Sequence, residues 1–276
     1  MLIVAGSDSG GGAGIQADIK TVTCLGGYAM TAVTAVTVQN TLGVSAVHMV
    51  PADVVAAQMR SCIEDLGVDA VKIGMLGDVA TIEAVAGILE GVGVPIVLDP
   101  VMVATSGDRL LADEAVAALM GRLLPLAKVV TPNVPELAAM VGGDVVDTDG
   151  LLRAATALLK REMKAELMLG LAAGMRGGSG AVPAAVLAKG GHLAGESVTD
   201  WLVWDGGERA FCDARIESRN THGTGCTLAS ALAVSLAQGL ELEEAVVRAR
   251  AFVRQGILRA PGFGGGAGPL GFYPMV

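Results

Sequence analysis

Short apolar runs alternate with longer amphipathic segments along almost the whole chain, and this alternation restricts the fold more than any other feature. Buried strands are predicted at Leu2–Ala5, Ala70–Ile73, Ile96–Leu98, Lys128–Val130 and Ala185–Leu187. Between them, helical periodicity covers segments such as Ala13–Leu25, Pro51–Leu66, Val79–Leu89, Asp113–Leu124, Asp147–Lys164 and Glu243–Arg259. Strands separated by helices form a mostly parallel sheet with helices on both faces. Such α/β folds bind ligands at the carboxyl ends of their strands.

Composition narrows the class of function. The chain has 276 residues, 52% of them hydrophobic, and a net charge of −9. A nucleic-acid-binding protein is excluded, because it would need a basic surface. No membrane span is expected, since charge, Gly or Pro breaks every apolar stretch before about 18 residues. The four cysteines are widely spaced and include no CxxC pair, which predicts free thiols and a cytoplasmic protein, or a plastid one if a transit peptide has been removed.

No repeat or linker divides the sequence, so residues 1–276 are interpreted as one domain. Residues 169–185 are rich in Gly and Ala and lie between a predicted helix and a predicted strand. They are predicted to form a surface insertion. Residues 262–276 are also rich in Gly, and a loose C-terminal tail is predicted there.

A glycine-rich segment, Gly6–Gly14, joins the first strand to the first helix. Residues 12–17 fit the dinucleotide pattern G-x-G-x-x-A, but the next strand ends in Gln39-Asn40 without the acidic residue that holds a ribose. The chain contains no P-loop motif. The segment is interpreted as a loop whose backbone approaches a substrate closely. A tight turn without a ligand is the alternative.

A second glycine-containing segment, Asn220–Cys226, precedes the apolar helix Thr227–Leu236. Amides at a helix N-terminus favour anions, and they would stabilise a phosphoryl group in transfer. A thiol in the first turn of this helix is expected to have a lowered pKa, so Cys226 would act as a base or as a hydrogen-bond partner. The alternative is an ordinary turn with a buried, inert cysteine.

Together these segments resemble the hydroxymethylpyrimidine/phosphomethylpyrimidine kinases of thiamin biosynthesis, which belong to the ribokinase-like superfamily. The resemblance rests on motifs in the same order along nearly the whole chain: Val4–Asp8, Gly11–Asp18, Val38–Val44, Lys72–Leu76, Leu98–Met102, Thr131–Glu136, Lys189–His192 and Asn220–Cys226. It implies a three-layer α/β/α sandwich. It also implies phosphorylation of the pyrimidine alcohol by ATP, first to the monophosphate and then to the diphosphate.

The resemblance also assigns roles to individual residues. The pyrimidine would be held by Gln39 in a pocket lined by Gly6, Ala13, Met75 and Val101. The catalytic anion hole would consist of Gly223, Thr224, Gly225 and Cys226, with Lys189, Asn133 and Thr221 binding the nucleotide. Asp99 and Glu136 would hold Mg²⁺ through water. More ordinary interpretations stay open: Gln39 as a polar strand end, Glu136 as a helix-capping acid, and Lys189 as a solvated lysine.

Partners follow from the same resemblance. It implies a homodimer that binds the thiamin-precursor pyrimidine and its monophosphate. A pyridoxal kinase of the same fold and a non-catalytic pyrimidine-binding regulator are the alternatives. The chain departs from the family in its insertion and in its tail, where histidines expected after Gly268–Phe272 are missing. These departures leave room for one domain of a longer thiamin-pathway protein.

Overall fold

A computed structural model describes residues 1–102, 111–160 and 183–274. Its strands are β1 (Leu2–Asp8), β2 (Met30–Asn40), β3 (Gly43–Met49), β4 (Val71–Ile73), β5 (Ile96–Leu98), β6 (Val129–Val130), β7 (Ala185–Ala188), β8 (Ser197–Trp204) and β9 (Gly207–Ala214). Its helices are α1 (Gly14–Cys24), α2 (Ala52–Leu66), α3 (Val79–Leu89), α4 (Asp113–Ala118), α5 (Val134–Val141), α6 (Thr148–Lys160), α7 (Thr224–Ala237) and α8 (Leu242–Leu258).

The strands form one nine-stranded sheet in the order β3-β2-β1-β4-β5-β6-β7-β8-β9. All pairs from β2 to β7 are parallel. Only β3 at one edge and β8 and β9 at the other pair antiparallel. The predicted α/β class with a mostly parallel sheet is therefore confirmed.

Both faces of the sheet are covered by helices, because successive side chains of a strand point to opposite faces. In β1, Leu2 and Val4 pack into the core shared with α2–α6, whereas Ile3 and Ala5 pack into the core shared with α1, α7 and α8. The three-layer sandwich follows from this alternation. It places the carboxyl ends of β1, β4, β5, β6 and β7 side by side.

Two elements differ from the sequence-based expectation. Strand β3 was not predicted, because most of its residues are exposed at the edge of the sheet and give no buried pattern. The helix predicted over Asp113–Leu124 is α-helical only to Ala118 and continues as a π turn, Leu119–Leu123, and a 3-10 turn, Leu124–Leu126. Pro125 has no amide hydrogen to continue an α-helix.

The C-terminal tail was predicted to be loose, and the structure corrects this over the described residues. The Gly271 amide donates to the Gly256 carbonyl at 2.9 Å, and Leu270 is buried. Close approach is possible because these positions lack side chains: a Cβ on Gly268 would lie 2.0 Å from Asn220 Oδ1. Glycine therefore serves packing here. Of the predicted insertion, residues 169–182 lie outside the described residues, and Ala185 already belongs to β7.

The cysteines are free thiols, as their spacing predicted. In the part of the chain that the structure describes, no helix combines the length and the apolar character needed to cross a bilayer.

Candidate active site

A cavity of about 1240 Å³ lies at the carboxyl ends of the central strands. Every residue that the sequence analysis proposed for the site lines this cavity: Gly6, Ala13, Gln39, Met75, Asp99, Val101, Asn133, Glu136, Lys189, Thr221, Gly223, Thr224, Gly225 and Cys226. These residues come from loops far apart in sequence. The parallel sheet brings them together because its strands all end at the same edge.

Asp8, the last residue of β1, organises the glycine-rich loop. Its carboxylate accepts hydrogen bonds from the amides of Gly10, Gly12 and Ala13 at 2.8, 3.0 and 2.8 Å. Burial alone would raise the pKa of Asp8, but hydrogen bonds from His222 and from the loop amides outweigh it and lower the pKa below its usual value. The carboxylate therefore stays ionised and fixes the loop.

One part of the cavity lies between β1, β2 and the loop after β4. A Cβ on Gly6 would lie 3.3 Å from Met75 Sδ, so the missing side chain leaves room for the thioether beside β1. Gln39, next to the end of β2, turns its side-chain amide toward Thr37 and His222. Val101 is half-buried just beyond β5. An apolar pocket with one amide at its edge suits a heteroaromatic ring.

Beside this pocket, the loop before α7 meets the glycine-rich loop. Gly223 has φ +83°, a left-handed conformation that disfavours side chains, and a Cβ there would lie 1.9 Å from the Gly12 carbonyl oxygen. The first turn of α7 also lies next to the positively charged side chain of Lys189. A Cβ on Gly225 would lie 3.3 Å from Lys189 Nζ. Helix amides and an ammonium group thus meet at one point, which favours an anion.

Lys189 is held by Asp99. Its Nζ lies 2.9 Å from Asp99 Oδ1, which also accepts a 3.0 Å hydrogen bond from Thr131 Oγ1. Burial opposes both charges, yet each partner stabilises the other: the pKa of Lys189 is raised, and that of Asp99 is lowered by Lys189 and Lys72. The lysine is therefore a fixed cation and not a solvated strand end.

Glu136 caps α5. Asn133 Oδ1 accepts from the Glu136 amide at 2.9 Å, and Glu136 Oε2 accepts from the Asn133 amide at 2.8 Å, which makes a capping box. Burial, followed by repulsion from Asp99, raises the pKa of Glu136 to about 7, although Lys189 opposes the shift. Within the described ranges, no cluster of three or more His, Cys, Asp or Glu side chains forms a direct metal site.

The structure corrects the expected pKa of Cys226. Burial is the largest influence, and together with the charges of Asp18 and Asp99 it raises the pKa to about 11. Lys72 and a hydrogen bond from the Gly14 amide act in the opposite direction but do not compensate. The helix N-terminus is therefore outweighed, and the group is a neutral thiol near pH 7.

This pKa predicts how the thiols react. At pH 8 only about one part in a thousand of Cys226 is thiolate, since the thiolate falls tenfold for each pH unit below the pKa. Iodoacetamide should label exposed Cys212 while Cys226 stays largely unmodified. Peptide mapping by mass spectrometry between pH 7 and 9.5 measures both rates. Equal labelling of Cys226 and Cys212 at pH 8 contradicts the raised pKa.

Several residues around this site were not predicted from the sequence. Lys72 Nζ forms a 2.8 Å ion pair with Asp18 Oδ2, and both side chains are fully buried. Asp18 Oδ1 also accepts from Ser230 Oγ at 2.7 Å. The sequence did contain a sign of this ion pair, because a lysine in the middle of a short apolar strand must have a buried partner. His222 also lines the cavity, where it lies between Asp8 and Gln39.

Comparison with known proteins agrees with this geometry. A family model described as phosphomethylpyrimidine kinase matches residues 8–271. The hydroxymethylpyrimidine/phosphomethylpyrimidine kinase of Rhizobium meliloti is 49% identical over 98% of this chain and 95% of that protein. The thiamine biosynthesis bifunctional protein ThiED of Geobacter sulfurreducens is 46% identical over 98% of this chain but only 51% of its own length.

Solved structures show the same architecture. Phosphomethylpyrimidine kinase from Clostridium difficile superposes with a TM-score of 0.74 at 36% identity, covering 92% of this chain and 96% of that one. An ADP complex of Bacillus subtilis pyridoxal kinase superposes with a TM-score of 0.83 at 32% identity, covering 98% and 96%. The comparisons therefore include two kinds of kinase with this fold.

Proposed function

The chain belongs to the phosphomethylpyrimidine kinase family, and from this premise we propose that it phosphorylates hydroxymethylpyrimidine with ATP and then phosphorylates the monophosphate to the diphosphate in thiamin biosynthesis. The observation that carries the proposal is the layout of the cavity. An apolar pocket with an amide at its edge and an anion loop with a fixed lysine line one space of about 1240 Å³. This volume is above the range typical of a single small-ligand pocket.

Each part of the cavity has a proposed role. Gln39 would hydrogen-bond the aminopyrimidine, because an amide offers both a donor and an acceptor. Gly6, Ala13, Met75 and Val101 would surround the ring. Lys189, Asn133 and Thr221 would bind the nucleotide phosphates. The anion hole would consist of Gly223, Thr224, Gly225 and Cys226.

Mg²⁺ fits the donor chemistry of the site. Asp99 and Glu136 line the same cavity and lie close enough for the charge of Asp99 to raise the pKa of Glu136, a repulsion that a nearby cation would relieve. Mg²⁺ retains several waters and is bound through few carboxylates. These two residues would hold it through water, and the bound ion would neutralise phosphate charge.

The proposed reaction is an in-line displacement. The hydroxymethyl oxygen forms a bond to the γ-phosphorus while the bond from the γ-phosphorus to the bridging oxygen breaks and ADP leaves. The hydroxyl proton passes late in the transfer to an oxygen of the transferred phosphoryl group, so no strong base is needed. In such a loose transition state, positioning and charge stabilisation supply most of the catalysis. Cys226 starts as a neutral thiol, so we assign it hydrogen bonding to the phosphoryl group and not removal of the hydroxyl proton. In the second step the substrate phosphate is the nucleophile.

Replacement of Cys226 by alanine tests this assignment. A thiol that only hydrogen-bonds the transferring group contributes similarly to both steps, so we expect both rates to fall by a similar factor, about tenfold. Single-turnover rates with hydroxymethylpyrimidine and with its monophosphate measure the two steps separately. A base would matter mainly for the first, since the second nucleophile is already anionic. If Cys226→Ala slowed only the first step, Cys226 would have to be assigned the role of the base.

The function itself is tested by ADP release with Mg²⁺ and three substrates supplied separately: hydroxymethylpyrimidine, its monophosphate and pyridoxal. Turnover of both pyrimidines with little on pyridoxal is expected. Activity on pyridoxal alone would support the second candidate, a pyridoxal kinase, which the similarity to the Bacillus subtilis enzyme favours. If none of the three substrates caused ADP release, the result would support a non-catalytic pyrimidine-binding regulator.

Several further features of the chain stay proposals. Residues 1–276 would form one kinase domain that acts as a homodimer. The free thiols and the use of ATP support a cytoplasmic location. The match to half of the Geobacter sulfurreducens bifunctional protein supports a second arrangement, in which such a domain is joined to another thiamin-pathway enzyme.

A further inference from the structure

His222 is held rigidly between the two loops of the site. Its Nε2 lies 2.9 Å from Asp8 Oδ2, and its backbone amide donates to the Gly268 carbonyl at 3.1 Å. The ring occupies the space that a side chain on Gly12 would need, because a Cβ there would lie 2.4 Å from His222 Cδ2. The imidazole is only 8% exposed. The orientation of the ring is therefore fixed by its contact with Asp8 and by its packing against Gly12.

The position of one proton follows from this contact. Asp8 accepts hydrogen bonds from three loop amides and is ionised, so its carboxylate has no proton to donate. The hydrogen bond between Asp8 and His222 must therefore use a proton on His222 Nε2. A nitrogen that carries this proton cannot accept a hydrogen bond from Gln39.

Gln39 lies next to this nitrogen. One end of its side-chain amide, Nε2, is 3.4 Å from His222 Nε2, and the other, Oε1, is 3.1 Å from Thr37 Oγ1. The Thr37 hydroxyl has a single proton and also lies 3.0 Å from the Ser7 carbonyl oxygen. Rotating the amide by half a turn exchanges its two ends, and the hydrogen-bond network decides between the two orientations.

The rotated orientation pairs more of these groups than the other. With Nε2 toward His222, two hydrogen-bond donors face each other. The Thr37 hydroxyl can then donate its one proton either to Gln39 Oε1 or to the Ser7 carbonyl, but not fully to both. With Oε1 toward His222, the single proton on His222 Nε2 lies between two acceptors, Asp8 Oδ2 at 2.9 Å and the Gln39 oxygen in the position 3.4 Å away, and is shared by them. The amide then donates to Thr37, and the hydroxyl donates to the Ser7 carbonyl. Buried polar groups strongly prefer such pairing.

We propose that Asp8, His222 and Thr37 act as positioning residues that fix the direction of the Gln39 amide and thereby select the donor and acceptor order of the substrate ring. This rests on the proposed function, in which Gln39 meets the ring edge. Because the hydroxymethyl group must point to the anion loop, the ring cannot turn over to suit a reversed amide. A ring with a ring-nitrogen acceptor beside an amino donor is accepted. Its oxo analogue, in which donor and acceptor are exchanged, is disfavoured.

The test compares kcat/KM for hydroxymethylpyrimidine with kcat/KM for the analogue carrying an oxo group in place of the amino group. Thr37→Val removes the hydroxyl but keeps the shape, so the amide loses one of the two contacts that fix its direction and keeps only the weaker 3.4 Å contact with His222. The amino-to-oxo ratio should fall about tenfold. Thr37→Ser keeps the hydroxyl and should keep the wild-type ratio. An unchanged ratio in a folded Thr37→Val protein overturns the inference. Absence of wild-type turnover on the pyrimidine overturns the proposed function instead.

A second measurement needs neither activity nor a variant that folds. The chain has three histidines, so nitrogen-15 NMR can identify the His222 ring and show which of its nitrogens carries a proton. A protonated Nε2 is expected in the wild-type protein. A ring protonated on Nδ1 alone would allow Gln39 to donate to His222, and it would overturn the proposed orientation whatever the kinetics show.

Discussion

Gly223→Ala is expected to lower kcat at least about 100-fold, the size of effect seen when donors to a developing charge are displaced. The added Cβ would lie 1.9 Å from the Gly12 carbonyl oxygen, and φ at this position is +83°. Contact with backbone cannot be relieved by rotating a side chain. The anion loop and the glycine-rich loop must therefore move apart, which displaces the amides at the start of α7. Steady-state kinetics with the pyrimidine substrate measures the loss.

Gly239→Ala is a matched control for this variant. Gly239 also has φ +83°, at the end of α7, but nothing lies within 4 Å of a Cβ placed there. It therefore reports the cost of a left-handed alanine alone, about 1–2 kcal/mol of unfolding free energy, with normal kcat. If Gly223→Ala also retains normal kcat, the contact between the two loops is not needed for transfer.

The sequence was sufficient to predict many residues that line this cavity, because a parallel sheet converts chain order into spatial order. Asp99, Asn133 and Lys189 each follow a short apolar strand. Once those strands are placed side by side, the polar residues that follow them must lie at the same edge of the sheet. The glycines at 223 and 225 were informative for a related reason, since close backbone contact requires residues without side chains.

Other features could not be predicted because they depend on distances across the fold. The pKa of Cys226 follows from burial and from two carboxylates of remote segments, whereas the local sequence shows only a helix N-terminus. The contact between Asp8 and His222 joins residues 214 positions apart. The tail was misjudged because the same glycines that permit mobility also permit tight packing against Asn220.

The ion pair between Lys72 and Asp18 carries the largest expected effect on stability. Asp18→Asn keeps the shape of the side chain but leaves the Lys72 ammonium, which is fully buried, without its 2.8 Å partner. Breaking one side of such a pair costs about 3–5 kcal/mol of unfolding free energy, because a buried charge is left uncompensated. Glu83→Gln is the matched control. That carboxylate pairs with Arg122 at 2.9 Å but is 46% exposed, so a loss of at most about 1 kcal/mol is expected.

The double variant Lys72→Met with Asp18→Asn separates burial of charge from loss of packing. Removing both charges also removes the cost of keeping either one in the interior, so the double variant should be more stable than Asp18→Asn alone. Ser230 can still hydrogen-bond the new amide, since it lies 2.7 Å from the Asp18 carboxylate. Urea unfolding of the four proteins in the cycle measures the coupling. Additive losses would mean that the two side chains stabilise the fold by packing and not as a charge pair. In that case the lysine in β4 would need another explanation, and its position in the wall of the active-site cavity would make the phosphoryl site the first place to look.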